Sequence, residues 1–265
     1  MPVIHPSAIV EAGAKIADDV EIGPFCYVGP DVEIGAGSKL MAHCYITGHT
    51  TMGKGNTVYP FTALGTDAED HAVEGGVTYL KIGDGNTFRE SVTVNTGTKP
   101  DSETVVGNNC FILANAHIAH NCILGNKVVM VDYAGLSGYC QVGDNCLLSG
   151  HTGMHQFCRI GRFSVLSGGS VVSLDVPPFM IADGRNGAIR GINIVGLSRN
   201  NFPEETIHTI KNIYKVFFRS GLNTKNAIEE MRKTLPAIPE VDEFIKFVEA
   251  SHRGVLKSNK PGRRS

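Results

Sequence analysis

Residues 106–172 read VGNNCFILANAHIAHNCILGNKVVMVDYAGLSGYCQVGDNCLLSGHTGMHQFCRIGRFSVLSGGSVV, and one repeat runs through all of them. Every sixth residue is aliphatic or methionine, in the series Val106, Ile112, Ile118, Leu124, Met130, Leu136, Val142, Leu148, Met154, Ile160, Leu166 and Val172. The same register holds over residues 4–64 and 82–94, and it is interrupted at Asp70, Gly76 and Pro100. A repeat this regular decides the fold before any other feature does.

A period of six is neither that of an amphipathic helix nor that of an alternating strand. A coil of triangular cross-section fits it, because each hexapeptide then forms one short strand and one corner, and three make a turn of about 18 residues. The sequence therefore predicts a mainly β fold, a parallel β-helix of hexapeptide repeats with a C-terminal α-helical region. Similarity to known hexapeptide proteins indicates a left-handed coil, against the usual right-handed crossover.

We expect two domains, the β-helix over residues 1–185 and a helical domain over residues 186–265. In the second domain the apolar residues recur at helical spacing. Three helices are predicted from their terminal residues: Pro203 and Gly221 for the first, Asn223 or Thr224 for the start of the second, and Pro239 for the start of the third. The last residues, KSNKPGRRS, are basic and are expected to be frayed.

Composition narrows the functional classes. The chain has a net charge of −2, 31 glycines and no tryptophan, so nucleic acid is not an expected partner. No stretch reaches the roughly 18 apolar residues of a membrane span, and the N-terminal MPVIHPSAIV has neither the basic nor the apolar region of a signal peptide. We therefore expect a cytoplasmic protein without a membrane span.

The cysteines follow the repeat. All seven lie four residues after one of its aliphatic positions: Cys26, Cys44, Cys110, Cys122, Cys140, Cys146 and Cys158. In hexapeptide coils this position takes small inward side chains, so we expect packing groups and not metal ligands or redox centres. Seven unpaired thiols also favour a reducing compartment.

The interruptions of the repeat predict two polar loops, over residues 65–79 (GTDAEDHAVEGGVTY) and 97–104 (GTKPDSET). Loops that project from a rigid scaffold are common places for ligand binding.

Four of the ten histidines gather in the second run of repeats, His117 and His120 in NAHIAHN and His151 and His155 in SGHTGMHQF. None is in the inward phase, so we expect them to face outward. An imidazole titrates near neutral pH and suits a general base. One coil of 18 residues leads from His120 to Gly138, whose bare backbone N–H could stabilise an oxyanion. This pair indicates direct acyl transfer to a hydroxyl or an amine.

Two other interpretations stay open at this point. Some β-helix proteins hold zinc between subunits with three histidines, and the spacings H-x-x-H and H-x-x-x-H do not decide against a zinc-dependent lyase of the carbonic anhydrase type. A purely structural coil with incidental histidines is the other interpretation. The histidine cluster and the two loops make it the weaker one.

Five segments, NAHIAH, HQFCRIG, DVPPFMIA, GINIVGLSR and RESVTVNTGT, carry a family resemblance. Over nearly its whole length the chain resembles the acyl-carrier-protein:UDP-N-acetylglucosamine O-acyltransferases of lipid A biosynthesis. The resemblance implies a homotrimer with sites in the clefts between subunits, and transfer of a 3-hydroxyacyl chain from acyl carrier protein to the sugar 3-hydroxyl. It implies neither a cofactor nor a metal.

The resemblance also implies a role for individual residues. His120 would be the general base and Gly138 the oxyanion donor. Gly168 matches the position that limits acyl-chain length, and because it has no side chain we expect a longer 3-hydroxyacyl chain. The sugar nucleotide, UDP-N-acetylglucosamine or a close analogue, would be held by Asp70, His117, His155, Gln156, Asn193 and Arg199.

The chain departs from the family pattern at several of these contacts. Charged or imidazole side chains that are usual in the family are replaced by Ala72, Asn95, Thr96, Asn121, Tyr139, Val195 and Asn200. Each lost charged contact to a nucleotide could cost about 1.5 to 3 kcal/mol unless other residues compensate. The alternative acceptor is therefore a 3-amino or other nucleotide sugar, which would make the chain an N-acyltransferase.

Overall fold

The computed structural model describes residues 1–71 and 73–258. In this part of the chain the strands are β1 (Val3–Ile4), β2 (Ile9–Val10), β3 (Lys15–Ile16), β4 (Glu21–Ile22), β5 (Tyr27–Val28), β6 (Glu33–Ile34), β7 (Lys39–Leu40), β8 (Tyr45–Ile46), β9 (His49–Met52), β10 (Thr57–Val58), β11 (Ala63–Thr66), β12 (Tyr79–Ile82), β13 (Thr87–Phe88), β14 (Thr93–Asn95), β15 (Glu103–Val106), β16 (Phe111–Ile112), β17 (His117–Ile118), β18 (Ile123–Leu124), β19 (Val129–Met130), β20 (Gly135–Leu136), β21 (Gln141–Val142), β22 (Leu147–Leu148), β23 (Gly153–Met154), β24 (Arg159–Ile160), β25 (Val165–Leu166), β26 (Val171–Val172), β27 (Met180–Asp183) and β28 (Ala188–Ile192).

The strands form the three faces of a left-handed parallel β-helix. Face A contains β1, β4, β7, β10, β13, β16, β19, β22, β25, β27 and β28. Face B contains β2, β5, β8, β11, β14, β17, β20, β23 and β26, and face C contains β3, β6, β9, β12, β15, β18, β21 and β24. From β1 to β27 neighbours pair in parallel, and from β15 to β26 each residue pairs with the one 18 positions on, as in His117↔Gly135. The predicted fold class is confirmed.

The repeated aliphatic residues fill the axis of the coil. Ile112, Ile118 and Leu124, one on each face, are all but fully buried. The seven cysteines are buried at the inner corners and unpaired, as predicted. Burial raises the pKa of Cys110 to about 11 and that of Cys146 to about 12, so these thiols are poor nucleophiles near neutral pH.

The corner between faces B and C carries a column of three residues with an unusual backbone conformation. Asn121, Tyr139 and Phe157 occupy it on successive coils, each with a left-handed backbone (φ 59°, 61° and 64°). Asparagine adopts this conformation readily, whereas aromatic residues seldom do. Here the Tyr139 and Phe157 rings stack with centroids 4.8 Å apart, so the corner carries an aromatic column.

Both predicted loops are present, and both are shorter than the sequence suggested. β11 continues to Thr66, β12 starts at Tyr79 and β15 starts at Glu103, because Tyr79 and Glu103 pair in register across face C. The two loops contact each other: the Glu74 N–H donates to the Thr98 carbonyl (3.1 Å). The departure at Ala72 lies outside the described residues.

The C-terminal region contains α1 (Ile194–Arg199), α2 (Glu204–Tyr214), α3 (Thr224–Thr234) and α4 (Pro239–Glu249), and α2 continues as a π-helical turn, Lys215–Arg219. Three predicted helices are thus confirmed, and Asn223 caps α3 by accepting from the Asn226 N–H (2.9 Å). The sequence did not predict α1 or the antiparallel hairpin of β27 and β28.

The predicted domain division between residues 185 and 186 falls within that hairpin, in a 3-10 turn at Gly184–Asn186. It therefore stays a prediction. The basic end predicted to be frayed lies, from residue 259 onward, outside the described residues. No helix in the described part of the chain is long and apolar enough to cross a membrane.

The axis of the coil should carry much of the stability. Replacing the fully buried Ile112 by alanine leaves a cavity, so we expect the free energy of unfolding to fall by about 2–5 kcal/mol. Ile123, which is 49% exposed, is the matched control and should lose less than about 1 kcal/mol on the same change. Guanidinium unfolding at a fixed protein concentration measures both. Equal losses would contradict the axial packing.

Candidate active site

One groove on face B gathers most of the predicted site residues. It has a volume of about 480 Å³, and its lining consists of Glu69, His117, Ala119, His120, Gly135, Leu136, Ser137, Gly138, Gly153, Met154, His155, Gln156 and Val171. The first loop borders it through Glu69, and the corner with face C borders it through His120 and Gly138. Five of the thirteen lining residues are glycine, alanine or serine, and they leave open space along the middle of the face.

His120 is only 2% exposed, which corrects the expectation that it simply faces outward. Its position in the repeat is outward, but neighbouring side chains cover it. Its Nδ1 lies 3.0 Å from Asn121 Oδ1, its Nε2 lies 3.3 Å from Asp70 Oδ2, and its ring meets that of Tyr139 edge to face. Three side chains therefore surround the imidazole and shield it from solvent.

Thr98 determines which nitrogen of His120 can act as a base. The backbone N–H of Thr98 can only donate, and it points at Oδ1 of Asn121 (3.2 Å), so the atom there must be the amide oxygen. The same oxygen faces Nδ1 of His120, which must then carry a proton. In the neutral ring Nε2 is therefore the basic nitrogen.

The second loop extends this hydrogen-bond chain. The Thr98 hydroxyl donates to Asn121 Oδ1 (3.0 Å), so it accepts from the Tyr139 hydroxyl, 2.9 Å away. Asn121 and Tyr139, two of the positions expected to depart from the family pattern, are joined here through one threonine. The three side chains form a neutral hydrogen-bond chain that leads to Nδ1 of His120.

Asp70 lies at the other side of His120, on the first loop. Two residues of the neighbouring strand end hold this loop: Asn95 Nδ2 donates to the Asp67 carbonyl (2.8 Å), and the Thr96 hydroxyl accepts from that of Thr78 (2.8 Å). The contact of Asp70 with Nε2 is attractive only when His120 is protonated. A neutral Nε2 requires a donor instead, such as a hydroxyl entering from the groove.

Gly138 lies directly against His120. A Cβ at this position would be 2.2 Å from Cε1 of His120, so only glycine lets the ring occupy its place. The N–H of Gly138 donates to no other residue in the described ranges 1–71 and 73–258. A bare amide beside a basic nitrogen is the pair that acyl transfer requires.

The remaining groove histidines differ in their surroundings. His117 Nδ1 is hydrogen-bonded to the Thr93 hydroxyl (2.7 Å), and burial lowers the pKa of His117, an effect that the Glu69 carboxylate partly opposes. His117 is therefore held largely neutral. His155 is exposed at the far side, next to Gln156. His151 is outside the groove and stacks on Tyr133 at the corner between faces A and B.

Three predicted site residues lie apart from the groove. Asn193 caps α1, accepting from the Gly196 N–H and donating to the Phe163 carbonyl, at the corner between faces C and A. Arg199, at the end of α1, is exposed. Gly168 lies at the corner between faces A and B, where a Cβ would be 3.6 Å from the Gly150 carbonyl oxygen.

Sequence reasoning missed Glu69, which lines the groove beside Asp70, and Thr98, which orients the base. In the sequence, only their positions within the two predicted polar loops indicated that they lie near a ligand site. Among residues 1–71 and 73–258 there is no group of three or more histidine, cysteine, aspartate or glutamate side chains that could hold a metal ion.

Comparisons with known proteins place the chain among acyltransferases. A family model described as UDP N-acetylglucosamine O-acyltransferase, domain 2, matches residues 175–256, and one described as bacterial transferase hexapeptide (six repeats) matches residues 13–48 and 103–138. A relative from Thermodesulfovibrio yellowstonii, named acyl-[acyl-carrier-protein]--UDP-N-acetylglucosamine O-acyltransferase, is 43% identical over 258 residues, which cover 97% of this chain and all (100%) of the relative.

Solved structures agree. The UDP-N-acetylglucosamine acyltransferase LpxA of Bacteroides fragilis superposes with a TM-score of 0.93 at 37% identity, covering 96% of this chain and 100% of that one. LpxA of Acinetobacter baumannii gives a TM-score of 0.91 at 35% identity, with coverage of 96% and 100%.

The tautomer of His120 can be measured. With ¹⁵N-labelled histidine we expect the neutral form of His120 to carry its proton on Nδ1, because Asn121 Oδ1 accepts from that nitrogen. The resonance is assigned by its loss in His120→Gln. A neutral form protonated on Nε2 would contradict the role given to Thr98.

Proposed function

The chain belongs to the family of UDP-N-acetylglucosamine O-acyltransferases, and from that premise we propose how its groove works. It transfers a 3-hydroxyacyl chain from acyl carrier protein to the 3-hydroxyl of UDP-N-acetylglucosamine, the first step of lipid A biosynthesis. The observation that carries the mechanism is the contact of His120 with Gly138, one coil apart. Family membership favours this transferase over the lyase and the structural coil.

Nε2 of neutral His120 takes the proton of the sugar 3-hydroxyl as its oxygen attacks the thioester carbonyl carbon. The carbonyl oxygen becomes an oxyanion, and the Gly138 N–H donates to it. The intermediate collapses by breaking the carbon–sulfur bond. The imidazolium returns its proton to the leaving thiolate, so the products are the ester and the free thiol of acyl carrier protein.

Asp70 guides the acceptor into this position. Its carboxylate faces Nε2 in the free groove, at 3.3 Å, so a sugar hydroxyl that donates to Nε2 must displace it, and a neighbouring hydroxyl can then donate to Asp70. His117, His155 and Gln156 line the groove on either side and supply further polar contacts to the sugar nucleotide. No cofactor or metal enters the proposed reaction.

We propose that the working form is a homotrimer in which a neighbouring copy completes each groove. Asn193 and Arg199 are at a different corner of the prism from His120, so they cannot reach the groove of their own chain. α1, which carries Arg199, exposes Ile194 (44%) and Val195 (59%) beside it. An apolar pair next to a cation suits a contact between copies.

A second acceptor is favoured by one observation. His120 Nδ1 donates to the neutral amide of Asn121. An amine can attack before it loses its proton, so its attack depends less on the base than that of a hydroxyl does. Transfer to a 3-amino analogue of the sugar is therefore the second candidate reaction.

We place the protein in the cytoplasm. Its seven buried cysteines are unpaired thiols, and unpaired thiols are the usual state in a reducing compartment.

The reaction and the base can be tested together by single-turnover transfer from 3-hydroxyacyl carrier protein, with UDP-N-acetylglucosamine and its 3-amino analogue offered separately. The wild type should acylate the 3-hydroxyl. His120→Ala should lower the rate by at least about 10²-fold, the usual contribution of a positioned base.

The matched control is His151→Ala, since His151 lies outside the groove, and its rate should be unchanged. Product from the amine alone would favour the second candidate. Retention of most activity by His120→Ala would remove His120 from the mechanism, and no product with either acceptor would overturn the proposed function.

A further inference from the structure

Arg162 lies at the corner between faces C and A, and three phenylalanine rings surround its guanidinium group. The guanidinium carbon is 5.4 Å from the centroid of the Phe163 ring, 5.1 Å from that of Phe179 and 5.7 Å from that of Phe202. The Phe202 ring meets the other two edge to face, with centroids 5.0 Å and 6.4 Å apart. A cation over aromatic faces is attracted by their negative potential. We call these four residues the arginine cage.

Two carboxylates connect the arginine cage to helix α4. Arg162 Nε lies 2.7 Å from Glu243 Oε2, and Arg162 Nη2 lies 3.7 Å from Glu240 Oε1. Burial raises the pKa of the Glu243 carboxyl, and the neighbouring Arg162 opposes this shift. The Arg162 side chain is only 29% exposed, so its charge is balanced mainly by the protein. Removing this charge would leave partly buried carboxylates without their cation, and the cage would have to rearrange.

The arginine cage also holds the beginning of helix α1. The Phe163 carbonyl accepts from Asn193 Nδ2 (2.8 Å), and the Phe179 carbonyl accepts from the Asn193 N–H (2.8 Å). Phe163 and Phe179 both have a left-handed backbone (φ 59° and 71°), which phenylalanine seldom adopts. Such a conformation persists only where the surroundings enforce it. The packing of the two rings around Arg162 therefore determines where the two carbonyls point.

Phe202 connects the other end of α1 to the arginine cage. Its N–H donates to the Leu197 carbonyl (3.2 Å), while its ring packs on those of the cage. α1 has only six residues, too few for a helix to be stable by itself. Its position is therefore set at its two ends, and both ends lead to the cage. Asn193 at the start of α1 and Arg199 at its end are the residues proposed to contact the nucleotide in a neighbouring groove.

We propose that Arg162 is a positioning residue for the sugar-nucleotide site of the neighbouring copy. The arginine cage fixes both ends of α1, and α1 presents Asn193 and Arg199 to a groove that belongs to another chain. Arg162 acts through these two residues and not through a substrate contact of its own. Binding groups need such support, because small displacements weaken their contacts. The inference rests on the proposed function, since it requires the trimer and its nucleotide contacts.

The expected effect is a change in the affinity for the sugar nucleotide. Arg162→Gln removes the cation from the cage, so Asn193 and Arg199 lose their fixed position. Their contacts to the nucleotide serve the ground state and the transition state alike, so KM should rise while kcat changes little. The loss of one charge-assisted hydrogen bond corresponds to about tenfold. We expect KM for UDP-N-acetylglucosamine to rise about tenfold and KM for 3-hydroxyacyl carrier protein to stay within about twofold.

Three further variants separate this role from a general loss of stability. Arg232→Gln is the matched control, because Arg232 pairs with Glu249 of the same helix α4 (2.8 Å) away from the cage, and its KM values should equal those of the wild type. Phe202→Leu removes one ring but leaves the Arg162–Glu243 pair, and it should raise KM for the sugar nucleotide in the same way. Arg162→Lys keeps a cation and should recover part of the loss. Thermal unfolding and oligomeric state are measured for all variants.

Mixed trimers test whether Arg162 acts on the groove of another copy. Arg162→Gln chains and His120→Ala chains with different affinity tags are co-expressed, and trimers that carry both tags are purified. A His120→Ala chain lacks the proposed base but has an intact cage. Because each groove is completed by the next copy around the ring, every mixed trimer contains one groove in which an intact base meets an intact cage. This groove should show the wild-type KM for UDP-N-acetylglucosamine.

The outcomes distinguish this assignment from the proposed function. A KM that stays raised in the mixed trimers would show that Arg162 acts within its own chain and would overturn the assignment. An unchanged KM in both Arg162→Gln and Phe202→Leu, an equal rise in Arg232→Gln, or no recovery in Arg162→Lys would overturn it as well. Absence of turnover by the wild type, or full turnover by a monomeric wild type, would instead overturn the proposed function.

Discussion

The structure depends on one geometric constraint, the step of 18 residues that brings each outward side chain directly over the next. The aliphatic residues of the repeat hold this step by filling the axis, from Val106 to Val172 without interruption. On the surface the same step places His120 against Gly138, with no room for a side chain at the second position. A rigid coil thus supplies the fixed geometry that acyl transfer requires.

A neutral hydrogen-bond chain orients the imidazole of His120. Tyr139, Thr98 and Asn121 lead to Nδ1 of His120, while Asp70 approaches Nε2 from the first loop. His120, the proposed base, is thereby oriented by Thr98, whose backbone N–H identifies the Asn121 atom beside Nδ1 as the amide oxygen. Asn95 has a structural role as well, because it anchors the loop that carries Asp70.

Much of the fold was readable from the sequence, because a six-residue period admits few structures. The coil, its loops, the cysteine positions and three of the helices were predicted on this basis. α1 was missed because six residues are too few to show a helical period, and the loop ends were misplaced because pairing across face C extends the strands. The pairing of His120 with Gly138 followed from the step. The role of Thr98 could not be predicted, because it depends on where the folded loop places the backbone N–H of this residue.

The most direct measurement is a crystal structure of the protein with its acylated sugar nucleotide product. The account predicts a trimer in which the ester carbonyl oxygen accepts from the Gly138 N–H and the ester oxygen lies within hydrogen-bond distance of His120 Nε2. Asn193 and Arg199 of a neighbouring copy should contact the nucleotide. A product bound away from His120, or a groove completed by a single copy, would contradict it.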